Sequence, residues 1–178
     1  MLYNQCMSKD DQDCVLGFVN HHLSQEPEAS DIVHDLLAFL AEEMLRLNKA
    51  KRAAQRAFLN WLVDTLNIQP LADKDGKVGI DSLKHKAKLL DYPGDYQKGE
   101  DALEFAGIKS ILLENKKRLL VPFNEALLAK VEERYQQSLD TVLPLKRQLA
   151  QTDKLIDRVV YRLYDLTEEE IRVVEGQA

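Results

Sequence analysis

Residues 124–164 read NEALLAKVEERYQQSLDTVLPLKRQLAQTDKLIDRVVYRLY, and this stretch decides the fold. Mostly apolar side chains recur in it at alternating steps of three and four residues through nearly six heptads, a pattern typical of a helix that packs along a seam. The seam positions are Leu128, Val131, Tyr135, Ser138, Val142, Leu145, Leu149, Thr152, Ile156, Val159 and Leu163. Pro144 removes one backbone hydrogen bond without changing the register, so we expect one long helix that bends there by more than about 20°.

A second seam runs through residues 31–66, which contain neither Gly nor Pro. Its positions are Val33, Leu37, Leu40, Met44, Leu47, Lys51, Ala54, Phe58 and Trp61. The spacing predicts one helix about 50 Å long. Because neither long helix buries its seam alone, we expect the two to pack antiparallel in an elongated all-α bundle of coiled-coil type. Docking onto another chain, or homodimerisation, is the alternative use of such a seam.

Shorter elements complete the predicted organisation. A short helix is expected within residues 1–29, from Ser8 to near Gln25. Residues 67–100 form a loop-rich insert with room for one small β-hairpin, and a helix is expected over 101–119. Thr167 and Glu170 have capping-box spacing and predict a terminal helix over 167–175.

Composition narrows the class of protein. The chain has 178 residues, with 24 basic and 30 acidic side chains and a net charge of -6, which argues against non-specific coating of nucleic acid. Two cysteines are too few for a disulfide scaffold, and no apolar run approaches the roughly 18 residues of a membrane span. We therefore expect a soluble protein without a membrane partner, in the cytoplasm by default.

Reactive groups at catalytic spacing are not evident. The turn at Asp73–Gly76 begins like a calcium loop but lacks the later ligands, and Cys6, Cys14, His21 and His22 do not match the spacings of zinc sites. No glycine-rich phosphate loop occurs. The sequence thus predicts no catalytic residue, no cofactor and no metal site.

Basic residues concentrate in the middle of the chain. Residues 46–118 hold fifteen basic and ten acidic side chains, a net charge of +5 between two acidic ends. Three clusters are the candidate contacts to a DNA backbone, since phosphates attract mobile cations independently of sequence. They are Lys49, Lys51, Arg52 and Arg56; Lys84, Lys86 and Lys88 with His85; and Lys116, Lys117 and Arg118. Ordinary solvated helix faces are the alternative interpretation.

One family resemblance adds to these patterns. Residues 145–171, LKRQLAQTDKLIDRVVYRLYDLTEEEI, resemble the extreme C-terminus of bacterial adenine-specific DNA methyltransferases and of fused type IIG restriction-modification enzymes. VHDLLAFLAEEM at 33–44, FLNWL at 58–62, IDSL at 80–83 and ENKKRL at 114–119 are similar to the helical segment that precedes it. Asp165 stands where the family pattern has Gly, and Asp tolerates left-handed backbone.

The resemblance implies part of a DNA-modifying system without its catalytic part. Those methyltransferases carry an S-adenosylmethionine loop and an Asn-Pro-Pro-Tyr/Phe motif, and neither occurs in this chain. We therefore expect a non-catalytic helical accessory or C-terminal domain that supports DNA recognition or contacts a methyltransferase or restriction subunit. The alternative is a purely structural coiled-coil module that does not bind nucleic acid.

Overall fold

The computed structural model describes Tyr3, residues 12–26 and residues 29–176, and in these residues the regular secondary structure is helical. The α-helices with bounds in the described residues are α1 (Asp13–Leu23), α2 (Ser30–Leu66), α3 (Lys86–Leu90), α4 (Phe105–Glu114), α5 (Glu125–Leu163) and α6 (Glu168–Val174). Two 3-10 turns cover Gly79–Ser82 and Lys116–Arg118. The predicted all-α class is confirmed. None of the described helices is both long and apolar enough to cross a membrane.

The two long helices are the ones that the three-four spacing predicted. Helix α2 begins one residue before the predicted start, and α5 runs through Pro144 without ending. Every predicted seam position on both helices is buried or half-buried. The periodicity therefore identified the packed faces correctly.

By contact density the chain divides into two compact units, and each contains one half of both long helices. Unit 1 comprises residues 1–47 and 148–178, and unit 2 comprises residues 48–147. Both α2 and α5 cross the boundary as unbroken helices, so neither helix ends where the units divide.

The core of unit 1 is built where α1 packs against α2 and α5. Its buried apolar residues are Tyr3, Val15, Leu16, Val19, Val33, Leu40, Leu155 and Val159. The Tyr3 hydroxyl lies 2.8 Å from the buried Thr152 hydroxyl, which also donates to the Gln148 carbonyl at 2.8 Å. These bonds satisfy the one polar side chain that the α5 seam buries in this unit.

The core of unit 2 depends on the insert. Phe58 of α2 contacts Tyr135 of α5 and Tyr92 of the insert, with ring centroids 5.6 and 5.2 Å apart. Leu89, Ile108 and Leu112 complete this core from the segment between the long helices. The segment interpreted as a loop-rich insert is therefore part of the hydrophobic core.

Polar contacts from α5 hold the insert in place. Tyr135 donates its hydroxyl hydrogen to the Leu103 carbonyl, and Tyr92 shares a hydrogen bond with Ser138. The Lys146 ammonium donates to the Pro93 carbonyl at 2.8 Å and to that of Glu100. The insert thus satisfies polar groups that α5 carries on its packed side.

Several boundaries differ from the prediction. Helix α1 begins at Asp13, while Ser8 lies outside the described residues. No strands flank the Asp75-Gly76 turn in the described residues. The Asp73 carboxylate accepts the N–H groups of Asp75 and Lys77, and the Asp73 N–H donates to the Lys77 carbonyl at 3.0 Å, which closes the turn. The helix expected over 101–119 is limited to Phe105–Glu114 and the 3-10 turn that follows.

The capping box predicted at the end of the chain is confirmed. The Glu170 N–H donates to the Thr167 hydroxyl while the Glu170 carboxylate accepts from the Thr167 N–H, which is the capping box expected for α6. Asp165 has a φ of 49°, in the left-handed region. An aspartate there occupies backbone space that usually favours Gly.

Candidate nucleic-acid interface

All ten candidate DNA-backbone contacts belong to unit 2. This unit holds 18 basic and 14 acidic residues, a net charge of +4, whereas the rest of the chain has a net charge of -10. The division into compact units therefore keeps most of the charge separation that the sequence shows between residues 46–118 and the rest of the chain. An anionic ligand is attracted to unit 2 and repelled by unit 1.

The first basic cluster divides into a stripe and one inward contact. Lys49, Arg52 and Arg56 are exposed and follow each other at three- and four-residue steps, so they share one face of α2 over about 10 Å. Lys51 lies on another face, where its Nζ is 5.8 Å from the Tyr96 ring centroid. We define Lys49, Arg52 and Arg56 as the α2 stripe; Lys51 is a half-buried contact to the insert.

The second and third clusters are brought together by Asn115, which is only 2% exposed. Its Oδ1 accepts the Lys84 N–H at 2.8 Å, and its Nδ2 donates to the Lys84 carbonyl at 3.1 Å and the Ile111 carbonyl at 2.8 Å. The backbone of Lys84 is therefore fixed beside the end of α4, where the turn Lys116–Arg118 begins. We call this set of hydrogen bonds the Asn115 clamp.

A surface depression of ≈ 510 Å³ lies at the clamp. Its lining residues are Lys84, Leu113, Glu114, Asn115, Lys116, Lys117 and Arg118. The Glu114 carboxylate lies 3.2 Å from His85 Nε2, and the Arg118 guanidinium lies 3.3 Å from the Asp73 carboxylate. Lys84, Lys116 and Lys117 are exposed and form no ion pair with a described residue.

The remaining residues of the second cluster differ from each other. Lys86 Nζ lies 2.7 Å from the Asp81 carboxylate, so this cation is already paired. Lys88, two residues further along α3, is exposed and has no ion pair with a described residue. Of the ten candidates, Lys51, Lys86 and Arg118 thus have intramolecular partners, and seven cations face solvent.

The turn at Asp73 is a structural turn. Hydrogen bonds from the N–H groups of Lys77 and Asp75, together with the Arg118 guanidinium, lower the pKa of the Asp73 carboxyl. These donors use the oxygens that a calcium ion would need. Among the described residues, no group of three or more His, Cys, Asp or Glu side chains is arranged to hold a metal ion.

The hydroxyl groups in the unit 2 core are poor candidates for acid-base chemistry. Burial raises the pKa of Tyr135 to about 12 and raises that of Tyr92 as well. Both hydroxyls also have hydrogen-bond partners in the core. Neither tyrosine is therefore poised to accept a proton near neutral pH.

Asn115 has a structural role that the basic clusters of the sequence did not indicate, although the sequence contained a signal for it. Ile108, Ile111 and Leu112 are buried on α4, and Asn115 follows them at the spacing of the same helical face. A polar side chain on a buried face requires hydrogen-bond partners. The partner segment could not be read from the sequence, because Lys84 lies 31 residues away.

Comparison with known proteins gives no relative for this chain: no protein-family model, no curated protein and no solved structure matches it.

Proposed function

We propose that this chain is a non-catalytic helical accessory domain of a DNA restriction-modification system, and that unit 2 contacts the DNA backbone. The observation that carries the proposal is the convergence of Lys84 with Lys116 and Lys117 at the Asn115 clamp. Two basic segments that are distant in sequence form one uncompensated surface there. The resemblance of residues 145–171 to the C-terminus of adenine-specific methyltransferases supports the context.

The seven solvent-facing cations are suited to weak electrostatic binding of phosphates. They are Lys49, Arg52, Arg56, Lys84, Lys88, Lys116 and Lys117. Each phosphate that a cation neutralises releases counterions. The logarithm of the binding constant therefore falls with the logarithm of the salt concentration, with a slope of about 0.9 per contact. Non-specific binding of this type has a Kd of roughly 10⁻⁴ to 10⁻⁶ M at physiological salt. Sequence recognition and chemistry would come from a methyltransferase or restriction subunit.

A bacterial cytoplasm is the compartment that this proposal requires, since the DNA substrate is there.

The test measures binding of a duplex oligonucleotide by fluorescence anisotropy at several salt concentrations. Charge reversal of the α2 stripe (K49E/R52E/R56E), or of the clamp lysines (K84E/K116E/K117E), should weaken binding and flatten the salt dependence. The matched control, K154E/R162E/R172E, makes the same change in net charge at exposed positions of unit 1. We expect the control to bind nearly as the parent does.

Two results would contradict the proposal. If the parent protein does not bind duplex DNA even at low salt, the DNA contact is wrong. If the control weakens binding as much as the unit 2 variants, binding reflects net charge alone and the surface has no role of its own.

The structural alternative is an oligomerisation module that uses the long seams. Both seams are buried or half-buried within this chain, which leaves little of them for a second copy. Light scattering tests this alternative: a dimer that forms with concentration, together with no DNA binding, would favour it over the proposed function.

A further inference from the structure

The Asn115 clamp brings three lysines to one surface depression. We infer that Lys84, Lys116 and Lys117 form a site for a single phosphate group, with Asn115 as its positioning residue. This site is a more specific form of the proposed function. It depends on the proposed function only in one respect, namely that the phosphate belongs to a nucleic-acid backbone. Free inorganic phosphate presents the same chemistry and serves as the probe.

The charge balance of the depression favours an anion. Its one acidic lining residue, Glu114, faces the His85 imidazole at 3.2 Å. The carboxylate nearest Arg118 is that of Asp73, at 3.3 Å, and Asp73 is not a lining residue. The three ammonium groups therefore have no carboxylate partner among the described residues, and a ligand with negative charge completes the set.

The available donors suit phosphate better than carboxylate. Arg118, the arginine among the lining residues, uses its Nη1 for the Asp73 carboxylate at 3.3 Å, so the cations without an ion pair at the depression are the three lysines. Lysine ammoniums act as separate point charges, and a phosphate offers them several oxygens in different directions. Leu113, at 47% exposed, is an apolar lining residue, and no aromatic ring of a described residue lines the depression to stack on a base.

Asn115 determines whether the site exists as a unit. Without its side chain, the N–H and carbonyl of Lys84 lose the partners that hold them beside α4. Lys84 would then separate from Lys116 and Lys117, although no charge had been removed. Asn115 acts through these lysines and makes no ligand contact in this scheme.

The first experiment is a titration of the ¹⁵N-labelled protein with inorganic phosphate, monitored by NMR at constant ionic strength, with chloride as the reference anion. We expect saturable shifts at Lys84, Lys116 and Lys117, with a Kd near the millimolar range. K84Q/K116Q/K117Q should weaken binding by about tenfold or more, since it removes every free cation of the site. The matched variant K49Q/R52Q/R56Q should leave the phosphate shifts unchanged.

The Asn115→Ala variant tests the positioning role. The variant is measured at a temperature where circular dichroism shows that it is folded. We expect it to lose the phosphate-induced NMR shift at Lys84. The slope of log K for DNA binding against log salt concentration should fall by about 0.9, the value of one phosphate contact. A merely structural residue would change the melting temperature without changing that slope in the folded protein. If Asn115→Ala does not fold, the triple lysine variant still decides whether the site exists.

The outcomes separate this inference from the proposed function. Saturable phosphate shifts at the three lysines without any DNA binding would support the site and contradict the proposed function. DNA binding that depends on the α2 stripe, with no saturable phosphate shift at the clamp lysines, would overturn the site and leave the proposed function standing. A 5′-phosphorylated duplex that binds more tightly than its unphosphorylated counterpart would assign the site to terminal phosphate; equal binding assigns it to the internal backbone.

Discussion

The Arg118 guanidinium lies 3.3 Å from the Asp73 carboxylate and joins two segments that are 45 residues apart. The same carboxylate accepts the N–H groups of Asp75 and Lys77, each at 2.9 Å. The ion pair therefore ties a tight turn of the insert to the basic 3-10 turn after α4. Lys117, the neighbour of Arg118, has no such partner among the described residues.

This difference predicts that two adjacent cations have opposite roles. Arg118→Gln should lower the melting temperature at neutral pH, because it leaves the Asp73 carboxylate without its guanidinium. Lys117→Gln should leave the melting temperature nearly unchanged, since substitutions at unpaired surface positions have small effects. Thermal unfolding followed by circular dichroism measures both, and equal losses would show that the ion pair is not structural.

The effect of Arg118 should also depend on pH. The folded-state pKa of Asp73 is depressed, first by the Lys77 N–H and then by the donors of Asp75 and Arg118. The stabilisation is therefore present above the ordinary carboxyl pKa near 4, and is lost as pH falls through the lowered folded value. Parent and Arg118→Gln should converge in stability in acid; a constant gap would contradict this account.

Two glycines of the insert should differ strongly in their tolerance of alanine. Gly94 has a φ of 73°, and a Cβ there would lie 2.5 Å from the Asp101 carbonyl oxygen and 2.7 Å from that of Glu100. Gly99 has a φ of 65° with open space around the same position. Both substitutions carry the left-handed strain of about 1–2 kcal/mol, but only Gly94→Ala also collides with backbone.

We expect Gly99→Ala to cost about 1–2 kcal/mol in the free energy of unfolding and Gly94→Ala to cost about 3 kcal/mol or more. The Glu100 carbonyl that Gly94 approaches also accepts a hydrogen bond from Lys146, so it cannot move without affecting the attachment to α5. Urea unfolding of the two variants gives the comparison. Similar costs would mean that the backbone around Glu100 adjusts freely.

The long helices could be predicted from the sequence because their signal is local and repeated. Each turn of α2 and α5 carries the same buried face, so an error at one position does not change the result. The capping box at Thr167 could be predicted for a similar reason, since it depends on a few neighbouring residues. Periodicity does not show where two compact units divide an unbroken helix.

The insert and the candidate site could not be derived in the same way. Tyr92 is fully buried, yet it lies between residues of turn-forming type, and only its contacts with Phe58 and Tyr135 explain its burial. The sequence identified the basic clusters by composition. Which cations face solvent depends on acidic partners that composition does not identify. Asp73 is distant in sequence from its partner Arg118, and no sequence pattern pairs Asp81 with Lys86.

The Tyr135 hydroxyl should contribute to stability in a pH-dependent way. Burial is the main cause that raises its pKa to about 12, and its hydroxyl donates to the Leu103 carbonyl. Since the folded pKa lies above the unfolded value near 10, the contribution is complete below about pH 10 and is lost as pH rises through the folded value. Tyr135→Phe should cost about 1 kcal/mol at neutral pH, the usual value of one hydrogen bond.

Urea unfolding of Tyr135→Phe as a function of pH provides the check. Its stability deficit should shrink in strong alkali, where the parent protein must ionise a buried hydroxyl or unfold. Tyr164→Phe is the control, because Tyr164 is 68% exposed. A deficit for Tyr135→Phe that persists unchanged at high pH would contradict the assigned role of the hydroxyl.

Pro144 lies within α5 and lacks the N–H that would donate to the Asp140 carbonyl, one turn earlier. The bend that the sequence predicts there stays a prediction, but the energetic consequence is testable. Pro144→Ala supplies the missing donor, removes the ring from the preceding turn and introduces the best helix former. Alanine also gives the unfolded chain more conformational entropy than proline does. This difference offsets roughly 0.4–1 kcal/mol of the gain in stability.

We therefore expect Pro144→Ala to raise the free energy of unfolding by about 1–2 kcal/mol, measured by urea unfolding. Gln148→Ala, at an exposed position one turn later, should change it by less than about 0.5 kcal/mol. If Pro144→Ala is instead destabilising, the proline imposes a helix geometry on which the packing of Val142 and Leu145 depends. Pro144 would then be required for the packing of the seam. The two long helices would need a bend at this position in order to pack, and the unbroken three-four register across it gives no sign of that need.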